Sequence, residues 1–157
     1  MITAADTNVL LDVLFHDPAH EQPSEAALRQ AAAEGGIVIS DVVYAELSAG
    51  FADASVLDQF LNESGIQLIT PLRAALHQAG RAWLTYARAS QAGILCVDCG
   101  SSSRPNCRKC GSRLRGKQHL LADFLIGGHA MMHADRLLTR DRRHFKKYFP
   151  GLTLLHP

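Results

Sequence analysis

Ile2-Thr3-Ala4-Ala5-Asp6-Thr7-Asn8-Val9-Leu10-Leu11-Asp12 opens the chain and decides how the rest is read. A short strand-like run ends on a carboxylate, Asp6. Thr7 and Asn8 follow, both residue types that cap helices, and then comes the apolar turn Val9 to Phe15. A strand that feeds a helix through an acidic residue places a polar group at the carboxyl edge of a sheet. On this stretch alone Asp6 reads equally well as a helix cap and as an active-site acid. Three further acids in similar positions tilt the reading to the second.

Working outward, strand and helix signals alternate. Ser24 to Glu34 is Ala-rich and helical, ended by Gly35-Gly36. Ile37-Val38-Ile39 is a buried strand, Ser40-Asp41 caps the next helix, and Glu46 sits near that helix's middle. Asp53 to Ser64 predicts another helix, Ile66 to Ile69 a third strand, and Thr70-Pro71 a cap with Pro at the first helical position. Leu72, Leu76, Ala79, Trp83 and Ala87 recur at four- and three-residue steps, an apolar stripe of helical period. From Leu120 to Ala134 the pattern is a helix apolar on nearly every side and hence buried, with Gly127-Gly128 allowing close backbone approach. Arg136 to Thr139 is a fourth strand, Asp141 starts the last helix, and Leu152 to Leu155 is a final strand. Such alternation predicts an α/β fold with a parallel sheet covered on both faces.

The chain has 157 residues, enough for one domain with a real core. No apolar run approaches a membrane span and no basic lead-in marks a signal peptide, so the expectation is a cytoplasmic protein without membrane contact. The net charge of +1 hides an asymmetry. Residues 1–70 hold eleven acids against one base, Arg29; residues 71–157 hold four acids against fifteen bases. An acidic region close to a basic one suits a metal site beside a polyanion track.

The acids carry the chemistry. Asp6 ends strand one, Glu46 lies on the helix after strand two, Asp123 sits in the first turn of the apolar helix, and Asp141 directly follows strand four. Carboxylates at the carboxyl ends of parallel strands converge on one edge of the sheet. Gathering them is costly without a cation, and their oxygens suit Mg²⁺ or Mn²⁺. Such an ion activates water and stabilises charge on a phosphodiester. Within Leu-Leu-Ala-Asp-Phe-Leu-Ile-Gly-Gly, the one other reason for Asp123 is a cap.

These motifs resemble the PIN-domain ribonucleases, and among them the VapC-type toxins of toxin–antitoxin pairs. The matching stretches are Asp6 to Asp12, Val43-Tyr44-Ala45-Glu46-Leu47-Ser48-Ala49-Gly50, Ala122 to Ala130, and Leu138-Thr139-Arg140-Asp141. The resemblance implies a five-stranded parallel sheet and Mg²⁺-dependent hydrolysis of RNA that leaves a 5′-phosphate. It also implies a homodimer and a small antitoxin that blocks the site. The metal-acid role passes to Asp6, Glu46, Asp123 and Asp141, with a supporting hydroxyl at Thr7. Asp12 belongs to the match but is expected to face water or an Arg, and His129 and His133, four apart, to pack. Arg140, Arg142, Arg143, Lys146 and Lys147 flank Asp141 and read either as a solvated face or as phosphate contacts.

Residues 94–116 interrupt the domain and are not part of the usual PIN pattern. They hold all four cysteines, as Cys96-Val-Asp-Cys99-Gly and Cys107-Arg-Lys-Cys110-Gly. Two such knuckles predict a structural Zn²⁺ site in a small zinc-ribbon-like insertion; disulfides do not suit a reducing cytosol. The insertion and its edge carry Arg104, Arg108, Lys109, Arg113, Arg115 and Lys117 as candidate RNA contacts. The expectation is therefore one PIN-like domain over 1–157 acting as a metal-dependent endoribonuclease. The alternative is a non-catalytic RNA-binding or ribosome-associated module on the same scaffold.

Overall fold

A computed structural model of the chain describes residues 1–89, 94–95, 102–103, 105–112 and 121–157. In chain order the elements are β1 (Ile2–Ala5), α1 (Thr7–Leu14), α2 (Glu21–Glu34), β2 (Gly36–Ile39), α3 (Asp41–Ser48), α4 (Ala54–Glu63) and β3 (Ile66–Leu68). Then come α5 (Arg73–Ala89), β4 (Ile94–Leu95), β5 (Ser102–Ser103), α6 (Leu121–His133), β6 (Arg136–Leu138), α7 (Arg142–Tyr148) and β7 (Leu154–Leu155). Five strands form one parallel sheet in the order β3-β2-β1-β6-β7, flanked by helices, as the alternation predicts. β4 and β5 pair antiparallel as a separate two-stranded ribbon. No helix among the described residues is long and apolar enough to cross a membrane.

The strand order places a switch point at the centre of the sheet. From β1 the chain winds outward through β2 to β3, then crosses to β6 on the other side of β1. Loops leaving β1 and β6 diverge to opposite sides and open a crevice at their carboxyl ends, which is where open α/β sheets bind ligands. Ala5 is in register with Leu138, so Asp6 and Thr139 come next to each other at that crevice.

The core beneath it is built from both sheet faces. Ala4, Ala5, Val38, Ile39 and Leu137 from the strands pack with Leu10, Val43, Leu47, Leu57, Phe124, Ile126 and Phe145 from the helices. α6 carries Phe124, Ile126, Gly127, Gly128, His129 and Ala130 inside. Its ends are less apolar in setting than its sequence, since Leu121 is 50% exposed and Met132 43%.

α5 departs from the sequence reading in an instructive way. Of the stripe Leu72, Leu76, Ala79, Trp83 and Ala87, only Ala79 is buried. The inward face is instead Ala75, Ala79, Ala82 and Tyr86. The reason lies on the neighbouring helix. A Cβ on Gly128 would stand 2.5 Å from the Ala75 carbonyl oxygen and 3.0 Å from the Ala79 Cβ, so α5 and α6 meet backbone to backbone. Only small residues fit that seam, and the larger apolar residues of α5 turn outward. α5 begins two residues after Pro71, and the Leu72 amide just before it donates to His133 Nε2 at 3.1 Å. His133, which accepts the Leu72 amide, stacks on buried His129, so the pair fastens the β3–α5 connection to α6. Packing, as expected, is their role.

α2 starts at Glu21, earlier than predicted, and this brings Ser24 into its buried face. There Ser24 Oγ donates to Asp12 Oδ2 at 2.6 Å. Asp12 is 3% exposed, and Arg140 Nη2 lies 3.1 Å from its Oδ1. Of the two partners expected for Asp12, the structure has the Arg and not water.

Candidate active site

The site forms where β1 and β6 end. Asp6 occupies the N-cap position of α1 without a side-chain cap hydrogen bond to the second or third helical amide. Thr7 and Asn8, read as caps, are instead the first two residues of the helix. The Asp6 carboxylate is drawn sideways. Its Oδ2 accepts from Thr139 Oγ1 at 2.6 Å and from Asn8 Nδ2 at 2.5 Å. The same Thr139 oxygen accepts the Asp141 amide at 3.0 Å, and Asn8 Oδ1 accepts the Arg140 amide at 3.2 Å. Two short side chains thus tie the ends of β1 and β6 together around one acid.

The other predicted acids are placed by neighbouring elements. Asp141 caps α7, its Oδ1 accepting the His144 amide at 3.0 Å. Asp123 lies in the first turn of α6, next to Phe124, which packs edge-on against His144 and Tyr148 and tilted against Tyr86. That aromatic cluster holds the start of α6 beside α7. Glu46, exposed on α3, is reached by Thr7, whose hydroxyl donates to Glu46 Oε2. Thr7 itself is 6% exposed, so the hydroxyl is a fixed donor rather than a surface one.

Electrostatics tie Asp6 to Asp123. Burial above all, and then the negative charge of Asp123, push the Asp6 carboxyl up to about 6. The bonds from Thr139, the Thr7 amide and Asn8 oppose this. A carboxyl that burial and a like charge hold well above its ordinary value is a site that a cation would relieve. The donors are carboxylate oxygens, which fit Mg²⁺ or Mn²⁺ and not a softer metal. No three of the four acids bring their oxygens within 4.8 Å of one another. The group of described residues that does is Asp12, Asp17 and His20. Those atoms are already engaged: Asp12 with Ser24 and Arg140, and Asp17 Oδ1 with the amides of Ala19 and His20 and with His20 Nδ1.

Asn8 and Thr139 are the residues the sequence reading passed over. Thr139 offered a signal, a hydroxyl two residues before Asp141 at the end of the fourth predicted strand. Asn8 gave none beyond its place two residues after Asp6.

On the basic side, Arg140, Asp141, Arg142, Arg143, Lys146 and His156 line a cleft of about 440 Å³ next to the acids. Arg108 and Lys109 are exposed on the insertion. Arg104, Arg113, Arg115 and Lys117 lie outside the described residues, as do Cys96 and Cys99. The second knuckle is described. Cys107 and Cys110 are not joined in a disulfide. The Cys107 carbonyl accepts the Gly111 amide at 2.8 Å, and the Cys107 amide donates to Ser112 O at 2.7 Å. Gly111 has φ +71°, the left-handed conformation that the residue after the second cysteine needs for this tight turn. Hydrogen bonds from Ser112, and then from Cys107, hold the Cys110 thiol below its ordinary value.

Solved structures of the same fold cover nearly the whole chain. VapBC2 from Rickettsia felis, bound to a DNA fragment from its promoter, contains a chain 21% identical at TM-score 0.62, with 99% of this chain and 98% of that one aligned. VapBC-1 from nontypeable Haemophilus influenzae matches at 17% identity and TM-score 0.62, with the same coverage. FitAcB from Neisseria gonorrhoeae matches at 20% and 0.58, covering 99% and 96%. No curated protein matches the sequence. The PIN domain profile matches residues 4–149, a span that begins in β1 and runs past all four predicted acids to the end of α7. This chain belongs to the PIN domain family.

Proposed function

We propose that this protein is a metal-dependent endoribonuclease and the toxin of a toxin–antitoxin pair. The observation that carries the reading is the buried Asp6 carboxylate, tied to the end of β6 and raised in pKa by Asp123, at the switch point of a PIN sheet. Asp6, Asp123 and Asp141 would hold Mg²⁺ or Mn²⁺, with Glu46 reaching it directly or through water. A bound divalent ion supplies an activated water and charge stabilisation for the phosphodiester. The chain supplies the rest. Thr139 and Asn8 fix the direction of the Asp6 oxygens, Thr7 orients Glu46, and Arg140, Arg142 and Arg143 offer positive charge to the RNA backbone.

Similarity to chains of VapBC2, VapBC-1 and FitAcB supports an antitoxin as partner. A homodimer would be built on the outward stripe of α5, where Leu72 is 57% exposed, Leu76 45% and Trp83 37%. The insertion would bind structural Zn²⁺ through Cys96, Cys99, Cys107 and Cys110. The turn at Cys107–Gly111 and the lowered Cys110 thiol suit thiolate ligation. Its cations Arg104, Arg108, Lys109, Arg113, Arg115 and Lys117 would then lie on a folded ribbon next to the substrate.

The test is incubation of the purified protein with total RNA, with and without Mg²⁺ or Mn²⁺, followed by mapping of the cut ends. Asp123→Asn keeps the size of the side chain and removes its charge. Cleavage should fall by orders of magnitude in a protein that still folds; undiminished cleavage by the folded variant would remove the assignment.

A further inference from the structure

We propose that the cationic cleft beside Asp141 is a subsite for the RNA phosphate next to the scissile one. Substrates would therefore need one phosphate beyond the cleaved bond. The proposal rests on the nuclease reading above and deepens it.

Among the described residues, four fixed cations line the cleft, Arg140, Arg142, Arg143 and Lys146, together with the His156 ring, against one acid, Asp141. Arg142, Arg143 and Lys146 are exposed, and none of them forms an ion pair with another described residue. Three cations without an ion-pair partner among the described residues, gathered in an open concavity, attract an anion. Arg142 and Lys146 stand one helical turn apart on α7, about 6 Å along its axis, so both can reach one phosphate group. The cleft is bordered by exposed cationic stems, which suits a repeating backbone more than an enclosed metabolite.

Its location decides which phosphate. Asp141 is a wall of the cleft and is also bonded, through its amide and Thr139, to the network that holds Asp6. The cleft and the acids therefore share one residue. Arg140, at their junction, is immobilised twice: its amide donates to Asn8 Oδ1 and its guanidinium pairs with buried Asp12. That pairing explains a buried acid in α1 which otherwise has no part in the chemistry. A strand whose scissile phosphate lies at the acids would pass Arg140 and place its neighbouring phosphate among Arg142, Arg143 and Lys146. Binding energy taken there orients the reacting group.

Binding is read first without divalent metal, as the anisotropy of a labelled six-nucleotide RNA in EDTA across a salt series. The double variant Arg142→Ala/Lys146→Ala changes only exposed side chains and should melt like the wild type. It should bind about tenfold more weakly at low salt, with a slope of log affinity against log salt shallower by about one. Exchanging the two side chains with charge kept, Arg142→Lys with Lys146→Arg, should give wild-type affinity and slope. Unchanged affinity and slope in the alanine variant would overturn the subsite. Inorganic phosphate should compete no better than chloride at equal ionic strength; selective displacement would make this a free-anion site and also overturn it.

Cleavage is then measured on short RNAs that end at the cut bond, with a phosphate added at either terminus in turn. The added phosphate at one terminus should raise kcat/KM in the wild type and leave the alanine variant unchanged. Equal gains in both proteins count against the proposal. The two levels fail separately. A wild type that cuts no RNA while the alanine variant loses binding ends the nuclease reading and leaves the cleft. A wild type that cuts, with a variant that binds and cuts like it, ends the subsite alone.

Discussion

Thr139 Oγ1 donates to Asp6 Oδ2 at 2.6 Å while accepting the Asp141 amide at 3.0 Å, so one buried hydroxyl links two predicted metal acids across the centre of the sheet. Thr139→Val keeps the shape and removes both bonds. The cost should be about 1–3 kcal/mol, because a buried carboxylate and a partly buried amide each lose a partner. Thr139→Ser should recover most of it. Urea denaturation in EDTA measures the loss; a Val variant as stable as the wild type would mean that the hydroxyl does not support Asp6.

Asp6 and His129 should impose opposite pH dependence on stability. The Asp6 carboxyl is raised from 3.8 to about 6, so the folded state holds its proton more tightly than the unfolded chain. Its contribution is therefore full below pH 3.8 and is lost as pH rises to about 6. Its size is about 3 kcal/mol. In EDTA at pH 7.5, Asp6→Asn should thus be more stable than the wild type, with the gain shrinking toward pH 4. Guanidinium titrations at several pH values would show it, and a gain that grew toward acid would contradict the raised pKa.

For His129 the sign reverses. Burial first, and then the neighbouring His133, lower the ring to about 4, opposed by the Ile69 carbonyl and the charge of Asp41. The unfolded chain binds the proton more tightly, so the contribution is full above pH 6.5 and is lost as pH falls to about 4. This too amounts to about 3 kcal/mol. His129→Gln keeps a polar side chain at this position but cannot titrate. Its stability should fall less than that of the wild type between pH 6.5 and 4. Parallel curves for the two proteins would remove His129 as a source of acid sensitivity.

The α5–α6 seam offers a paired glycine test. Gly128→Ala drives a Cβ to 2.5 Å from the Ala75 carbonyl, and backbone cannot yield cheaply. A loss of about 1–3 kcal/mol is expected. Gly80 sits inside exposed α5, with nothing within 4 Å of a Cβ placed there, so Gly80→Ala should gain up to about 1 kcal/mol from helix propensity. Thermal melts of the two variants should move in opposite directions.

Zinc should be required locally. About 23 residues cannot bury enough apolar surface to offset their chain entropy without metal. Chelation or Cys107→Ser should therefore unfold residues 94–116 while the α/β body keeps its circular dichroism and its melting transition. Collapse of the whole fold on chelation would show that the insertion is part of the core.

What the chain order determined by itself was the alternation of strands and helices and the placing of acids at strand ends. Both follow from local periodicity and from the fact that a parallel sheet presents its carboxyl ends on one edge. Asp6 and Asp141 stood out as strand-end acids for that reason and Asp123 as a lone charge in an apolar helix, while Asp6 could not be told from a cap because the residues around it satisfy both patterns. Tertiary structure made the choices that depend on distant partners. Asp12 is buried rather than wet because Arg140 and Ser24 arrive from other elements. Asn8 and Thr139 became the frame of the site because β1 and β6 are adjacent strands, although far apart in sequence. α5 carries two faces that could each be buried, and its own periodicity favours the larger residues. Gly128 on α6 reversed that preference, since a backbone-to-backbone seam admits alanine and excludes leucine and tryptophan.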